Sequence, residues 1–233
     1  MTARRVALVT GARGSLGQAL IRRLREAEYD VLAHSRRSGG DADVALRWFD
    51  GDLGDPSVAY RIADEVGHVD LLVNNAADQS VAPLDEITAD DWAAMIGATL
   101  MSAVNLARAV RPGMGPGSSI VNISSIEATS PFPHHAHYAA AKAALESFTR
   151  SAAMEWGADG IRVNAVAPGL IDRPGLAEQW PEGLAWWRRT CPLGRPIAPD
   201  EVADAVLLLA QSTGISGVVL PVDGGWSPTA RLG

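Results

Sequence analysis

Val6-Ala7-Leu8-Val9-Thr10-Gly11-Ala12-Arg13-Gly14-Ser15-Leu16-Gly17 decides how the rest of the chain is read. A β-branched and aliphatic run, Val6–Thr10, has the composition of a buried strand. Glycines follow at a spacing that permits a tight turn, and Leu16–Glu28 then repeats apolar residues with helical period. Strand, glycine turn, helix is half of a βαβ unit. In that unit the turn amides and the helix N-terminus offer hydrogen-bond donors and positive partial charge to a pyrophosphate.

The same alternation continues outward. Asp30–His34, Val69–Asn74, Ser119–Ser124, Ile161–Ala165 and Gly217–Val222 read as strands, and Ala89–Val110, Ala136–Trp156 and Asp200–Gln211 as helices. Continuous apolar strands separated by helices imply a parallel sheet covered on both faces, in a doubly wound, Rossmann-like α/β fold. No internal repeat or low-complexity linker divides residues 1–233, so one domain is expected. Ser35–Asp50 is short for a full strand–helix–strand passage, which implies a missing or reduced helix. Gly169–Pro199, with five prolines and three tryptophans, reads as a long irregular insertion. Its place after a parallel strand suits a substrate lid, at about residues 170–198.

Charge and composition narrow the function. Lys plus Arg number 20 and Asp plus Glu 27, a formal charge of 20 − 27 = −7. A mildly acidic chain lacks the basic face that nucleic acid or an anionic membrane would require. Cys191 is the single cysteine, so no internal disulfide can form, which fits a reducing compartment. No signal-peptide pattern and no apolar segment of spanning length are read, so a cytoplasmic location is expected.

Gly17 plus eighteen residues reaches Ser35, where a binder of the unphosphorylated dinucleotide would want a carboxylate for the ribose 2′-OH. Here a hydroxyl precedes Arg36 and Arg37. Two guanidiniums in a loop can simply be solvated, but beside the glycine turn and without the acid they suit a 2′-phosphate, which favours NADP(H). Tyr138 and Lys142 are four apart on one helical face, and Ser125 lies just past the end of a strand. A tyrosine with pKa near ~10 needs a nearby positive charge to act at neutral pH, and a serine hydroxyl can hold a substrate oxygen. Taken alone, a Y-x-x-x-K spacing is also an ordinary helix-face pair.

Together these pieces resemble the short-chain dehydrogenase/reductase family from end to end. The matching motifs run in order: Thr10–Gly17, Asp52-Leu53, Asn74-Asn75-Ala76-Ala77, Ile123-Ser124-Ser125, Tyr138–Lys142, Asn164–Gly169 and Pro221–Gly225. The resemblance implies a seven-stranded sheet and reversible carbonyl/alcohol chemistry with a nicotinamide. Tyr138 would be the acid/base, and Ser125 would orient the substrate oxygen. Lys142 would bind the nicotinamide ribose and lower the Tyr138 pKa. Gly11, Arg13, Ser15, Leu16 and Gly17 would contact the cofactor phosphates, Ser35 and Arg36 the 2′-phosphate, and Asp52 and Leu53 the adenine. Asn75, Ala76, Pro168, Gly169 and Ile171 would complete the cofactor contacts, with no metal. A small-molecule substrate and a homotetramer or homodimer, built on the helices that hold Thr99 and Tyr138, are also implied.

The sequence departs from the family pattern in places. Ser15 stands at the middle glycine, Thr99 at the relay asparagine seven residues past Trp92, and Arg173 at a conserved-type threonine position. A Thr99 hydroxyl could hold a water of the proton relay. Arg173 could meet a cofactor phosphate, an acidic substrate or solvent. His134, His135 and His137 read as loop residues around Tyr138, one of which could line the pocket; Glu127, two beyond Ser125, stands where it could face substrate, but reads first as an exposed loop carboxylate. Trp180, Trp186 and Trp187 either anchor the lid or form an aromatic wall. Two other readings remain: reduction of a pterin-like C=N bond, and a nucleotide-binding sensor with little turnover.

Overall fold

The computed structural model describes residues 4–37 and 45–229. In chain order the elements are β1 (Val6–Val9), α1 (Ser15–Glu26), β2 (Asp30–Ser35), β3 (Arg47–Asp50), α2 (Pro56–Val66) and β4 (Leu71–Asn74). They continue with α3 (Ala89–Ile96), α4 (Ser102–Val110), β5 (Ser119–Ile123), α5 (Ala136–Trp156), β6 (Arg162–Pro168), α6 (Leu176–Gln179), α7 (Pro181–Thr190), α8 (Pro199–Gln211), β7 (Val219–Val222) and α9 (Trp226–Thr229). All seven strands join one parallel sheet in the order β3-β2-β1-β4-β5-β6-β7. The chain starts at the middle, winds outward to β3, then returns to lay β4 against the other side of β1. That reversal opens a crevice beyond the carboxyl ends of β1 and β4, where ligands bind in this architecture.

The sheet is buried on both faces because the strands are apolar throughout; β4 and β5 are buried at every position. One face carries α1 and α8 over Val9, Val31, Val73, Val121 and Val166. The other carries α2, α4 and α5 over Leu8, Leu72, Ile120 and Val163. A buried amide chain fastens α5 to the sheet: Asn74 Nδ2 donates to Asn122 Oδ1 at 2.9 Å, and Asn122 Nδ2 to Thr149 Oγ1 at 2.8 Å. At low local dielectric such satisfied polar links fix one register.

Three features differ from the sequence reading. Helix α2 was absent from it, since only Ala59 and Ile62 are buried and the apolar stripe is thin. Its start is nonetheless encoded: Asp55 accepts from Ser57 N at 2.8 Å, and Pro56 sits in the first turn. The 170–198 segment is no irregular loop but carries α6 and α7. The expected single helix Ala89–Val110 is interrupted by a π-helical turn, Gly97–Met101, between α3 and α4. Residues 38–44 of the short Ser35–Asp50 passage lie outside the described residues; its end forms β3.

Among the described residues one helical run, Ala89–Gly113, is long and apolar enough to cross a membrane, with 25 residues and mean hydropathy 1.4. Half of it is buried within the fold, against α2 and α5. That is the pattern of a core helix, whose apolar residues face protein.

Candidate active site

The crevice begins at the glycine turn. Helix α1 starts after Gly14, whose extended backbone brings no side chain to cap the first turn, and no acidic residue occupies that turn. Its leading amides are therefore available to an anion. Gly17 explains the tightness of the turn: a Cβ there would lie 2.4 Å from Gly11 O and 2.7 Å from Ala12 Cα. Opposite, Thr10 Oγ1 accepts from the amides of Asn75 and Ala76, both at 2.9 Å. Asn75 Nδ2 donates to the carbonyls of Thr10 and Gly11 at 3.0 and 3.1 Å. The Asn75 side chain thus shapes the loop from behind, and Thr10, not singled out in the sequence, is the pin between β1 and β4. A backbone cradle of this kind fits a dinucleotide pyrophosphate.

From this cradle a cavity of about 1460 Å³ runs along the carboxyl ends of the strands. A site for one ligand encloses roughly 300–1,000 Å³, so this space accommodates two. Gly11, Arg13, Ser15, Leu16, Gly17, Ser35, Arg36, Asp52, Leu53, Asn75, Ala76, Ser125, Tyr138, Lys142, Pro168, Gly169 and Ile171 all line it. At the β2 end, Arg36 and Arg37 are exposed on the rim, while the Ser35 hydroxyl donates to Arg37 O at 2.5 Å. The expected Ser35 contact with phosphate therefore requires that hydroxyl to turn. Asp52 Oδ1 accepts from Gly54 N at 2.9 Å, and Leu53 O accepts from Asn105 Nδ2 at 3.0 Å. Asn105, nearly two turns beyond Thr99, sets the position of the Asp52–Leu53 turn.

The chemistry-bearing end lies where β5 meets α5. Ser125 follows β5, and its Oγ accepts from Glu127 N at 3.2 Å. Tyr138 and Lys142, one turn apart on α5, are both buried. Lys142 Nζ donates to Ile123 O at 2.6 Å and lies 5.6 Å from the Tyr138 ring centroid. Burial lowers the Lys142 pKa to about 7, because an ammonium in a dry pocket loses its hydration. Burial raises the Tyr138 pKa to about 12, helped by the nearby Glu127 charge and opposed by hydrogen bonds with Ser125 and Gln79. The chain by itself thus holds Tyr138 as a phenol, and the implied lowering by Lys142 is not produced by the protein alone. Gln79, on the loop after β4, is a further side chain at this tyrosine that no sequence motif marked.

Several neighbours sit elsewhere than the sequence suggested. The Thr99 hydroxyl is wholly buried in the π-helical turn, accepting from Asp78 N at 3.3 Å and lying 3.4 Å from Met95 Sδ. It is turned to the loop after β4 and is not part of the cavity wall. Glu127 is not an exposed loop carboxylate but is buried, lines the cavity and lies 2.8 Å from His135 Nδ1. Arg173 Nη1 donates to Gln179 Oε1 at 2.6 Å at the cavity rim. Among the described residues no group of His, Cys, Asp or Glu is arranged to hold a metal.

The tryptophans take both of the roles left open for them, and all three line the cavity. Trp187 is fully buried, donates from Nε1 to Arg195 O at 2.9 Å, and stacks on Trp226 with ring centroids 5.9 Å apart. It anchors α7 to the body, and Gly169 exists to receive it: a Cβ there would lie 2.6 Å from the Trp187 ring. Trp180 and Trp186 line the cavity, with Phe132 edge-on to Trp186.

Comparison with known proteins agrees with this fold. A family model described as enoyl-(acyl carrier protein) reductase matches residues 11–227. Cis-4-hydroxycyclohexanecarboxylate dehydrogenase of Sinomonas cyclohexanicum is 39% identical, over 97% of this chain and 97% of its own. An uncharacterized short-chain type dehydrogenase/reductase of Sinorhizobium fredii is 36% identical over 98% of this chain, which spans 45% of that longer protein. The structure of a gluconate 5-dehydrogenase from Burkholderia cenocepacia, in complex with NADP and tartrate, superposes with TM-score 0.88 at 31% identity, covering 96% of this chain and 95% of its own.

Proposed function

The chain belongs to the short-chain dehydrogenase/reductase family of nicotinamide-dependent oxidoreductases, and from that premise we propose that it interconverts a carbonyl and an alcohol with NADP(H), using Tyr138 as acid/base. One observation carries the reading: Ser125, Tyr138 and Lys142 meet where β5 joins α5, in the same cavity that the glycine cradle after β1 lines. The NADP(H) preference is supported by Arg36 and Arg37 on the rim where β2 ends without a carboxylate.

When bound, the nicotinamide supplies the hydride and, in its oxidised form, the positive charge that favours a phenolate. Everything else falls to the chain. Ser125 Oγ accepts from the Glu127 amide and hydrogen-bonds Tyr138, and on substrate binding its hydroxyl turns to donate to the substrate oxygen. Tyr138, kept protonated by burial, gives its proton to that oxygen as the alcohol forms. Lys142 spends one donor on Ile123 O and keeps others for the hydroxyls of a ribose. A homotetramer or homodimer is part of the proposal, supported by the exposed Met101 and Met154 beside the two long helices.

Consumption of NADPH and NADH with a panel of ketones tests the reading. Tyr138→Phe should lower kcat by roughly 10²–10⁴-fold while cofactor binding persists. Undiminished turnover in that variant would sink the mechanism, and tight NADP binding without turnover of any substrate would favour a sensor.

A further inference from the structure

The turn after β5 brings into the cavity a carboxylate that the hydride and proton chemistry does not use. The 3-10 turn Ile126–Ala128 is closed by Ser125, whose Oγ accepts from Glu127 N at 3.2 Å. That closure folds Glu127 back into the cavity, where its side chain is only 10% exposed. Oε2 lies 2.8 Å from His135 Nδ1. A carboxylate has two oxygens and several acceptor sites, so a Glu127 that lines the cavity and bonds His135 through one oxygen keeps the capacity to accept from a substrate donor.

The position of this pair relates it to the reacting oxygen. Glu127 is two residues past Ser125 and shares its turn. His135 is three residues before Tyr138, with ring centroids 5.8 Å apart. Both turns that would hold the carbonyl oxygen therefore also hold the Glu127–His135 pair. We propose that Glu127, oriented by His135, is a specificity subsite for a hydroxyl on the carbon next to the reacting carbonyl. The substrate class is then α-hydroxy carbonyl compounds and, in reverse, vicinal diols. This deepens the carbonyl/alcohol reading and rests on it. A hydroxyl needs a single acceptor. An ammonium brings three donors, and a single carboxylate beside the apolar Phe132 and Trp186 would not satisfy them all.

The test compares isosteres on the full-length protein with its cofactor: 1-hydroxyhexan-2-one against heptan-3-one, which replaces the hydroxyl by methyl, and 1-aminohexan-2-one. Wild-type kcat/KM should favour the hydroxyketone by at least roughly tenfold over heptan-3-one, since a site built to bond a hydroxyl rejects the analogue lacking it. Glu127→Leu should erase that ratio, and Glu127→Gln, which keeps an acceptor oxygen, should retain much of it. Removing the Glu127 charge also acts on Tyr138, but equally for each substrate, so the ratio isolates recognition. Cofactor binding by tryptophan fluorescence checks that each variant is folded. A ratio near one in wild type, an unchanged ratio in Glu127→Leu, or preference for the aminoketone overturns the subsite while leaving the carbonyl reading intact. Turnover of none of the three by wild type overturns both.

Discussion

Lys142 Nζ donates to the carbonyl of Ile123 across 2.6 Å, so the lysine of α5 is tied to the strand that delivers Ser125. This bond sets Ser125, Tyr138 and Lys142 relative to one another. It also keeps the amine in a pocket where it cannot easily carry charge, with its pKa near 7.

That burial has a consequence for stability. The native state binds fewer protons at Lys142 than the unfolded state between pH 7 and the ordinary lysine value of 10.5. Stability therefore rises with pH across that window, by at most about 1.4 kcal/mol per pH unit. Lys142→Met should lack this rise. Urea unfolding of both proteins at pH 7, 8 and 9 checks it, and parallel profiles would show that Lys142 stays charged when buried.

Arg36→Ala should raise KM for NADPH by roughly 10–100-fold, the worth of one or two hydrogen bonds to a charged group, while leaving KM for NADH nearly unchanged. Steady-state kinetics with both cofactors measures the split. Equal effects on the two would remove Arg36 from 2′-phosphate recognition.

Thr99→Val deprives the Asp78 amide of its acceptor, so a stability loss of about 1 kcal/mol is expected. Because the hydroxyl faces that loop and not the cavity, the pH profile of kcat should keep its shape. A displaced profile would place Thr99 in the proton supply after all.

Gly169→Ala drives a methyl into the Trp187 ring, which packing allows only if α7 shifts. A loss of about 1–3 kcal/mol is expected, as for other overpacked sites. Thermal unfolding and KM for the cofactor should both report it, since Gly169 also lines the cavity.

Much of this was legible before any coordinates. Local sequence determined the alternation of strands and helices, the glycine turn, and the positions of Ser125, Tyr138 and Lys142, because strand and helix periods and tight turns are short-range consequences of side-chain chemistry. Helix α2 escaped, since two buried residues make too faint a stripe, although its Asp55-Pro56 start was present. Glu127 could not be placed from its neighbours. An acid four residues past a strand is usually solvated, and only the Ser125-capped turn and His135, eight residues away, draw it inward. Counting from Trp92 singles out Thr99, yet where its hydroxyl points depended on the π-helical turn and on Asp78, twenty-one residues earlier. The tertiary structure also decided the Tyr138 pKa: the sequence supplied a lysine one turn away, but burial set the charge of both groups. Spacing along a chain fixes which groups share a face; burial and long-range partners, which depend on the whole fold, fix their charge and direction.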